Sequence, residues 1–273
     1  MRRGYCLWFL FVVLIVLVQT FSKQTALLAQ SSLSEQVQVA PPGHGTPLAS
    51  TSAEQLEQTA DLMRAKKSYL DAIDYYKAAM AKSPNNSRLY NKAGIVELEL
   101  QRYREAGKDF SRAIKAERQS ADAYNNLGVV YYLEKKNGKA LKEYKKAIQL
   151  SSTSASFYSN LAAAYFSRKE FEAATVAYAK ALQLDPEIFE HTSVNGVAGR
   201  ISSPQDQAHY DYVVAGLYSK MGNITRSLEY LRRCMEEGYK DVQDVYKDPE
   251  FAALRNDARF ATLMASRPAA IPE

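Results

Sequence analysis

Cysteine is nearly missing from this sequence: Cys6 and Cys234 are the only two among 273 residues. Cys6 precedes an apolar run, so it is not the lipid-modified cysteine that follows a lipoprotein signal. Without the leader Cys234 stands alone and makes no internal disulfide. Histidine is scarce as well. His44, His191 and His209 are scattered, with no cysteine or carboxylate at metal-ligand spacing, so no metal centre is expected. His191 and His209 flank one segment and could meet, but a solvated or hydrogen-bonded histidine is the ordinary reading. There is no phosphate-cradling loop: Gly196 and Gly199 in NGVAGR share only spacing with one and precede no Lys-Ser/Thr pair. A serine elbow and the setting of a nucleophilic cysteine are missing too. Neither catalysis nor a cofactor is expected.

A strong basic excess is also lacking. Lysine and arginine number 35 against 30 acidic residues. Arg2, Arg3 and Lys23 contribute three of those positive charges, and the first thirty residues hold no acid. The remaining body is therefore close to neutral, which argues against nucleic acid as the partner. Lys135, Lys136, Lys139, Lys142, Lys145 and Lys146 do cluster, but Glu134 and Glu143 dilute them, and their spacing puts most on one outer helix face.

Only one long apolar run is present, CLWFLFVVLIVLV at residues 6–18. Its 13 residues fall short of the ~20 that a membrane-spanning helix needs. Behind Arg2 and Arg3 the run fits a secretory signal peptide. Thr20-Phe21-Ser22 and Leu27-Leu28-Ala29 are two imperfect cleavage sites. Two outcomes stay open for residues 1–29: a cleaved signal, or an N-terminal anchor with a cytoplasmic start. Both place the body outside the cytoplasm, periplasmic, secreted or membrane-anchored, and touch the membrane only through the N-terminal segment. Residues 30–52, rich in Ser, Pro, Gly and Gln, bury too little apolar surface to order and read as a linker.

From residue 53 the sequence repeats. Ala60, Gly94, Gly128 and Ala162 are spaced by 34, as are Ala72, Ala106, Ala140 and Ala174. Tyr76, Phe110, Tyr144 and Tyr178 follow in step, then Ala79, Ala113, Ala147 and Ala181. A repeat of this length signals stacked helix-turn-helix units. Four units fit without insertion: 53–86, 87–120, 121–154 and 155–188. Small residues at a helix crossing let two axes approach to ~8–10 Å, and Gly128 with Ala140 is expected to supply that crossing. Tyr131 and Tyr144 are expected to fill the space around it. Tyr90, Tyr124, Tyr158, Tyr165 and Tyr178 are expected in the core with them.

With these columns the chain resembles the tetratricopeptide repeat family. Tyr90, Tyr124 and Tyr158 stand where that family often has Trp, and Arg118 and Ser152 replace the closing proline kept by Pro84 and Pro186. The resemblance implies an all-α, right-handed superhelical solenoid of antiparallel helix pairs that binds protein or peptide partners. A diverged fifth unit is expected over 208–241, carrying Ala215, Tyr218, Ser227, Leu231 and a buried Cys234. The segment 189–207 reads as an inserted loop. DPEFAALRNDARFATLM, within 242–273, is expected to form two short amphipathic capping helices, with Asp248 as N-cap and Pro249 at the first position.

In such a fold the first helix of each unit faces the concave groove. Two columns there are the candidate site: Asn91, Asn125 and Ser159 beside Lys92, Asn126 and Asn160. Amide side chains both donate and accept, so a row of them could hold a peptide backbone. They could equally satisfy neighbouring groups. Leu98, Tyr132 and Phe166 form a second column, either apolar anchors for a ligand or packing against the next unit. A non-catalytic binding scaffold is the expected function. The alternative is a membrane-anchored architectural or accessory subunit of an enzyme or assembly complex.

Overall fold

The computed structural model describes residues 50–190 and 204–266. The signal or anchor, most of the linker, His44 and His191 lie outside the described residues. Eight α-helices form four pairs: α1 (Ala53–Ala65) with α2 (Tyr69–Lys82), α3 (Ser87–Glu99) with α4 (Tyr103–Ala116), α5 (Ala121–Leu133) with α6 (Asn137–Leu150), and α7 (Ala155–Ser167) with α8 (Phe171–Leu184). A fifth pair follows, α9 (Pro204–Lys220) and α10 (Ile224–Glu236). Each second helix packs on the first helix of the next unit, which makes the all-α solenoid expected from the sequence.

Local chemistry sets the helix ends. Ser52 caps α1 in a reciprocal capping box with Gln55, and the Asn86 side chain accepts from the backbone N–H groups of Arg88 and Leu89 at the start of α3. Between the two helices of each unit, one residue takes the left-handed conformation: Lys67, Gln101, Lys135 and Lys169, with φ of 60°, 58°, 60° and 62°. Each lets the next N–H reach back to the last turn of the first helix, as Lys136 N does to the Tyr131 carbonyl at 2.8 Å. The fifth unit uses Gly222, φ 78°, at the same place.

The core pairs a small residue with an aromatic one. A β-carbon on Gly128 would lie 2.6 Å from Cε1 of Tyr144, and one on Gly94 2.7 Å from Cε1 of Phe110. Ala60 and Ala162 occupy the same place in the units that bury Tyr76 and Tyr178. The ring of Tyr144 therefore lies in the space a side chain on residue 128 would need. Ala140 is buried as well, but it is not the group that requires a glycine there. Each such ring, fully removed from water, contributes about 1.5–3 kcal/mol.

Several expectations change. Tyr144 and Tyr178 are core residues, but Tyr90, Tyr124, Tyr131, Tyr158 and Tyr165 are only half-buried, and the rings of Tyr90, Tyr131 and Tyr165 each face a basic side chain, Arg112, Lys139 and Lys145. Residues 204–207 belong to the first turn of α9, so this helix starts four residues before the expected unit boundary. Among the described residues the C-terminal segment has one α-helix, α11 (Ala258–Ser266), rather than two. Before it come three short 3-10 turns, Val242–Tyr246, Pro249–Phe251 and Leu254–Asn256. Asp248 does cap its turn, accepting from the Glu250 N–H, but Asp257 is extended and separates the turns from α11. Phe251, Leu254, Phe260 and Leu263 are buried.

Candidate functional site

The asparagines predicted to line the groove bond to one another. Asn160 Nδ2 donates to Asn125 Oδ1 at 2.9 Å, Asn125 Nδ2 to Asn126 Oδ1 at 3.1 Å, and Asn126 Nδ2 to Asn91 Oδ1 at 3.0 Å. Three hydrogen bonds thus run without interruption across units two, three and four. The repeated contact joins residues 35 apart, from one column of a unit to the other column of the unit before. Between units one and two the same contact is ionic. Lys92 Nζ lies 2.8 Å from Glu57 Oε1 and 2.5 Å from Asp61 Oδ2, while Arg88 Nη2 is 2.9 Å from Glu57 Oε2. Tyr76, fully buried, donates its hydroxyl to Asp61, and burial is the main reason its pKa is pushed far up.

The relay stops at unit four. Ser159 occupies the accepting column there, and Val213 of α9 stands where a donor would be needed. Ser159 Oγ is accordingly buried with no hydrogen-bond partner among the described residues. The hydroxyls of Tyr144 and Tyr178 are among the other buried oxygens that share that condition. Unit one satisfies the equivalent Tyr76 with Asp61; in units three and four the matching positions are Val129 and Ala163.

Asn125, Asn126 and Asn160 are buried, and Asn91, Lys92 and Leu98 are half-buried. Within the relay, Asn125 and Asn126 each use one N–H and one acceptor pair, which leaves each amide a second of both. The second column divides. Tyr132 is buried and its hydroxyl accepts from Ser167 Oγ at 3.0 Å, again 35 residues on. Phe166 is buried edge-on against Phe171 at 5.1 Å and His209 at 5.4 Å between ring centroids. Both rings therefore join successive units. Of the two roles open to that column, packing is the one visible here.

His209 sits on Phe171 at 4.2 Å, and burial lowers its pKa. Among the described residues no group of three or more His, Cys, Asp or Glu could hold a metal ion. Cys234 is buried, donates to the Leu231 carbonyl at 3.1 Å, and has its thiol pKa pushed up by burial. In the lysine cluster, Lys139 and Lys145 lie over the rings of Tyr131 and Tyr165, at 5.6 and 5.3 Å from their centroids. These two lysines thus cover aromatic surface rather than standing free. Sequence reasoning missed Glu57 and Asp61 as partners of Lys92. It also missed Asp211, fully buried with Arg233 Nε 3.2 Å from Oδ2. The signal for the first was present: Glu57 lies in the same 34-residue column as Asn91.

Residues 130–167 match the family model described as TPR repeat, and residues 155–188 that of the tetratricopeptide repeat. No match was found among curated proteins. Among solved structures, the chain is similar to MamA, at 20% identity over 72% of this chain and 95% of that one, with a TM-score of 0.49. A MamA fragment from Desulfovibrio magneticus RS-1 is 19% identical over 68% of this chain and 94% of its own, also at 0.49. YrrB, described as a TPR protein with an unusual peptide-binding site, is 18% identical over 79% of this chain and 92% of its own, at 0.47. The matched residues, 130–188, run from the last turn of α5 through α8, whose paired helices keep the 34-residue register, and it is this stretch that matches tetratricopeptide repeats.

Proposed function

We propose that the chain is a non-catalytic scaffold that holds an extended segment of a partner protein along the wall made by α3, α5 and α7. The observation that carries this reading is the amide relay. Asn125 and Asn126 each retain a second N–H and a second acceptor pair after binding their neighbours. A peptide backbone presents donors and acceptors alternately and so matches such amides, at a net ~0.5–1.5 kcal/mol per bond. Few fixed charges stand on this wall. Lys92 is neutralised by Glu57 and Asp61, which leaves Asp122 exposed, so binding should depend little on salt.

Residues 1–29 support action outside the cytoplasm, as an exported protein or as a solenoid tethered to the membrane by an uncleaved residue 6–18 segment. The experiment is site-specific photo-cross-linking in native envelope or secretory extracts. A photoreactive residue at exposed Asp122, beside the relay, should capture partner protein. The same residue at Lys142, on the outer face of α6, should not. Adducts from Lys142 alone would remove the groove from consideration.

A further inference from the structure

A cleft of about 400 Å³ opens between α4 and α5, on the side of α5 away from Asn125. Leu127, Val130 and Tyr131 line it, and they lie about half a helical turn around from Asn125, Val129 and Tyr132. The cleft exists because of Gly107. In the 34-residue register that position holds Ile73, Leu141 and Thr175 in the other three regular units, and Ile73 and Leu141 are buried there. Neither space nor backbone demands the glycine. A β-carbon on it would meet only Val130 Cγ1, at an ordinary 3.5 Å, and its φ is not positive. Glycine inside a helix costs ~1 kcal/mol relative to alanine, and no packing contact offsets that cost here.

The rim is cationic. Arg104 and Lys108 line the cleft and have no hydrogen-bond or ion-pair partner among the described residues. Arg112 joins them, held by Asp109 at 3.3 Å. The one acid lining the cleft, Glu134, is already 2.8 Å from Lys136. An apolar floor under unpaired cations fits one apolar side chain flanked by carboxylates.

We propose that this cleft is a second binding site, separate from the groove, for an acidic peptide segment that inserts one aromatic or branched aliphatic side chain beside Gly107. The test uses the full chain and a fluorescein-labelled peptide with the core Glu-Asp-Phe-Asp-Glu, read by anisotropy at low salt. Saturable binding is expected. Gly107→Leu, which supplies the side chain that Leu141 supplies in the next unit, should weaken it at least tenfold while circular dichroism stays helical. Arg104→Glu with Lys108→Glu should weaken it as much, and so should Ser in place of Phe in the probe. The proposal fails if no saturable binding occurs, if Gly107→Leu binds as the parent does, or if the Ser probe binds equally well. Phosphatidylglycerol vesicles captured in a Gly107-dependent way, without peptide binding, would make this a lipid site and overturn it too.

Discussion

Asn125 is bonded on both sides: its Oδ1 accepts from Asn160 of the following unit, and its Nδ2 donates to Asn126, which passes the contact to Asn91 of the preceding one. Removing it takes one hydrogen bond from each of two buried amides at once. Asn125→Ala should therefore lower unfolding free energy by about 1–3 kcal/mol, the range for stranding buried polar groups. Asn91→Ala ends the chain rather than cutting it and should cost about half as much. Urea unfolding of both variants decides this, and equal losses would mean that the relay does not act as a chain.

The two glycines of the central units make opposite predictions. Gly128→Ala pushes a methyl group into the Tyr144 ring and should destabilise by about 1 kcal/mol, with Gly128→Leu nearer 3. Units that pair Ala60 with Tyr76 and Ala162 with Tyr178 show that the alanine can be accommodated, which keeps the first figure small. Gly107→Ala should instead stabilise, by roughly 0.5–1 kcal/mol, through helix propensity alone. Thermal unfolding of the pair should give shifts of opposite sign.

The repeat was legible because Ala72, Ala106, Ala140 and Ala174, with their aromatic partners, keep one residue class per position through four units without insertion. The relay was not. A 34-residue comparison lines up columns, whereas the bonds cross between columns at a separation of 35. Leu98, Tyr132 and Phe166 share one column of the 34-residue register, yet whether the two rings lie open or packed depends on what the following unit supplies, Ser167 for Tyr132 and His209 for Phe166. The Gly107 cleft was hidden for a related reason: an empty volume is set by what its neighbours leave unfilled. The 3-10 turns after α10 were misread because three residues are too few to separate a period of 3.0 from one of 3.6.

The left-handed turn residues yield a third prediction. Lys135 holds φ 60° with a β-carbon, a conformation that costs an L-residue ~1–2 kcal/mol, and Gly222 avoids that cost at the same place in unit five. Lys135→Gly should stabilise by about 1 kcal/mol, less whatever entropy the unfolded chain gains. A fall in melting temperature would show that the lysine side chain matters more than the backbone.

Asp211 should make stability fall with rising pH. Burial is the main influence, opposed by Arg233 and reinforced by the Glu237 carboxylate, and together they raise its pKa from 3.8 to about 7. Gln207 donates to its other oxygen at 3.2 Å, and Tyr230 and Cys234 lie close by. Between these two values the folded protein keeps a proton that the unfolded chain has released. The contribution is thus complete below about pH 4 and lost on passing pH 7, at up to ~1.4 kcal/mol per pH unit. Asp211→Asn should flatten that part of the stability profile between pH 4 and 7. An unchanged difference from the parent across this window would count against the titration.

Trp8 is the sole tryptophan and lies in the apolar run. Cleavage at either candidate site removes it, so protein purified from its native compartment should emit only as tyrosine. Emission typical of tryptophan, with an intact mass that includes residues 1–29, would identify a retained anchor.

Unit three is unusual in being compatible with itself. It carries both a donor, Asn126, for the unit before it and an acceptor, Asn125, for the unit after it. A second copy of residues 121–154 placed directly behind the first would find its Asn126 facing an Asn125, and each lateral bond would be made again. Unit two lacks this property, since its Lys92 requires acids behind it and finds them in Glu57 and Asp61 of unit one. The array can therefore lengthen by internal duplication in the middle, whereas each end is restricted to the neighbour it already has. Any lengthened form of this solenoid should carry its extra units between Asn91 and Ser159.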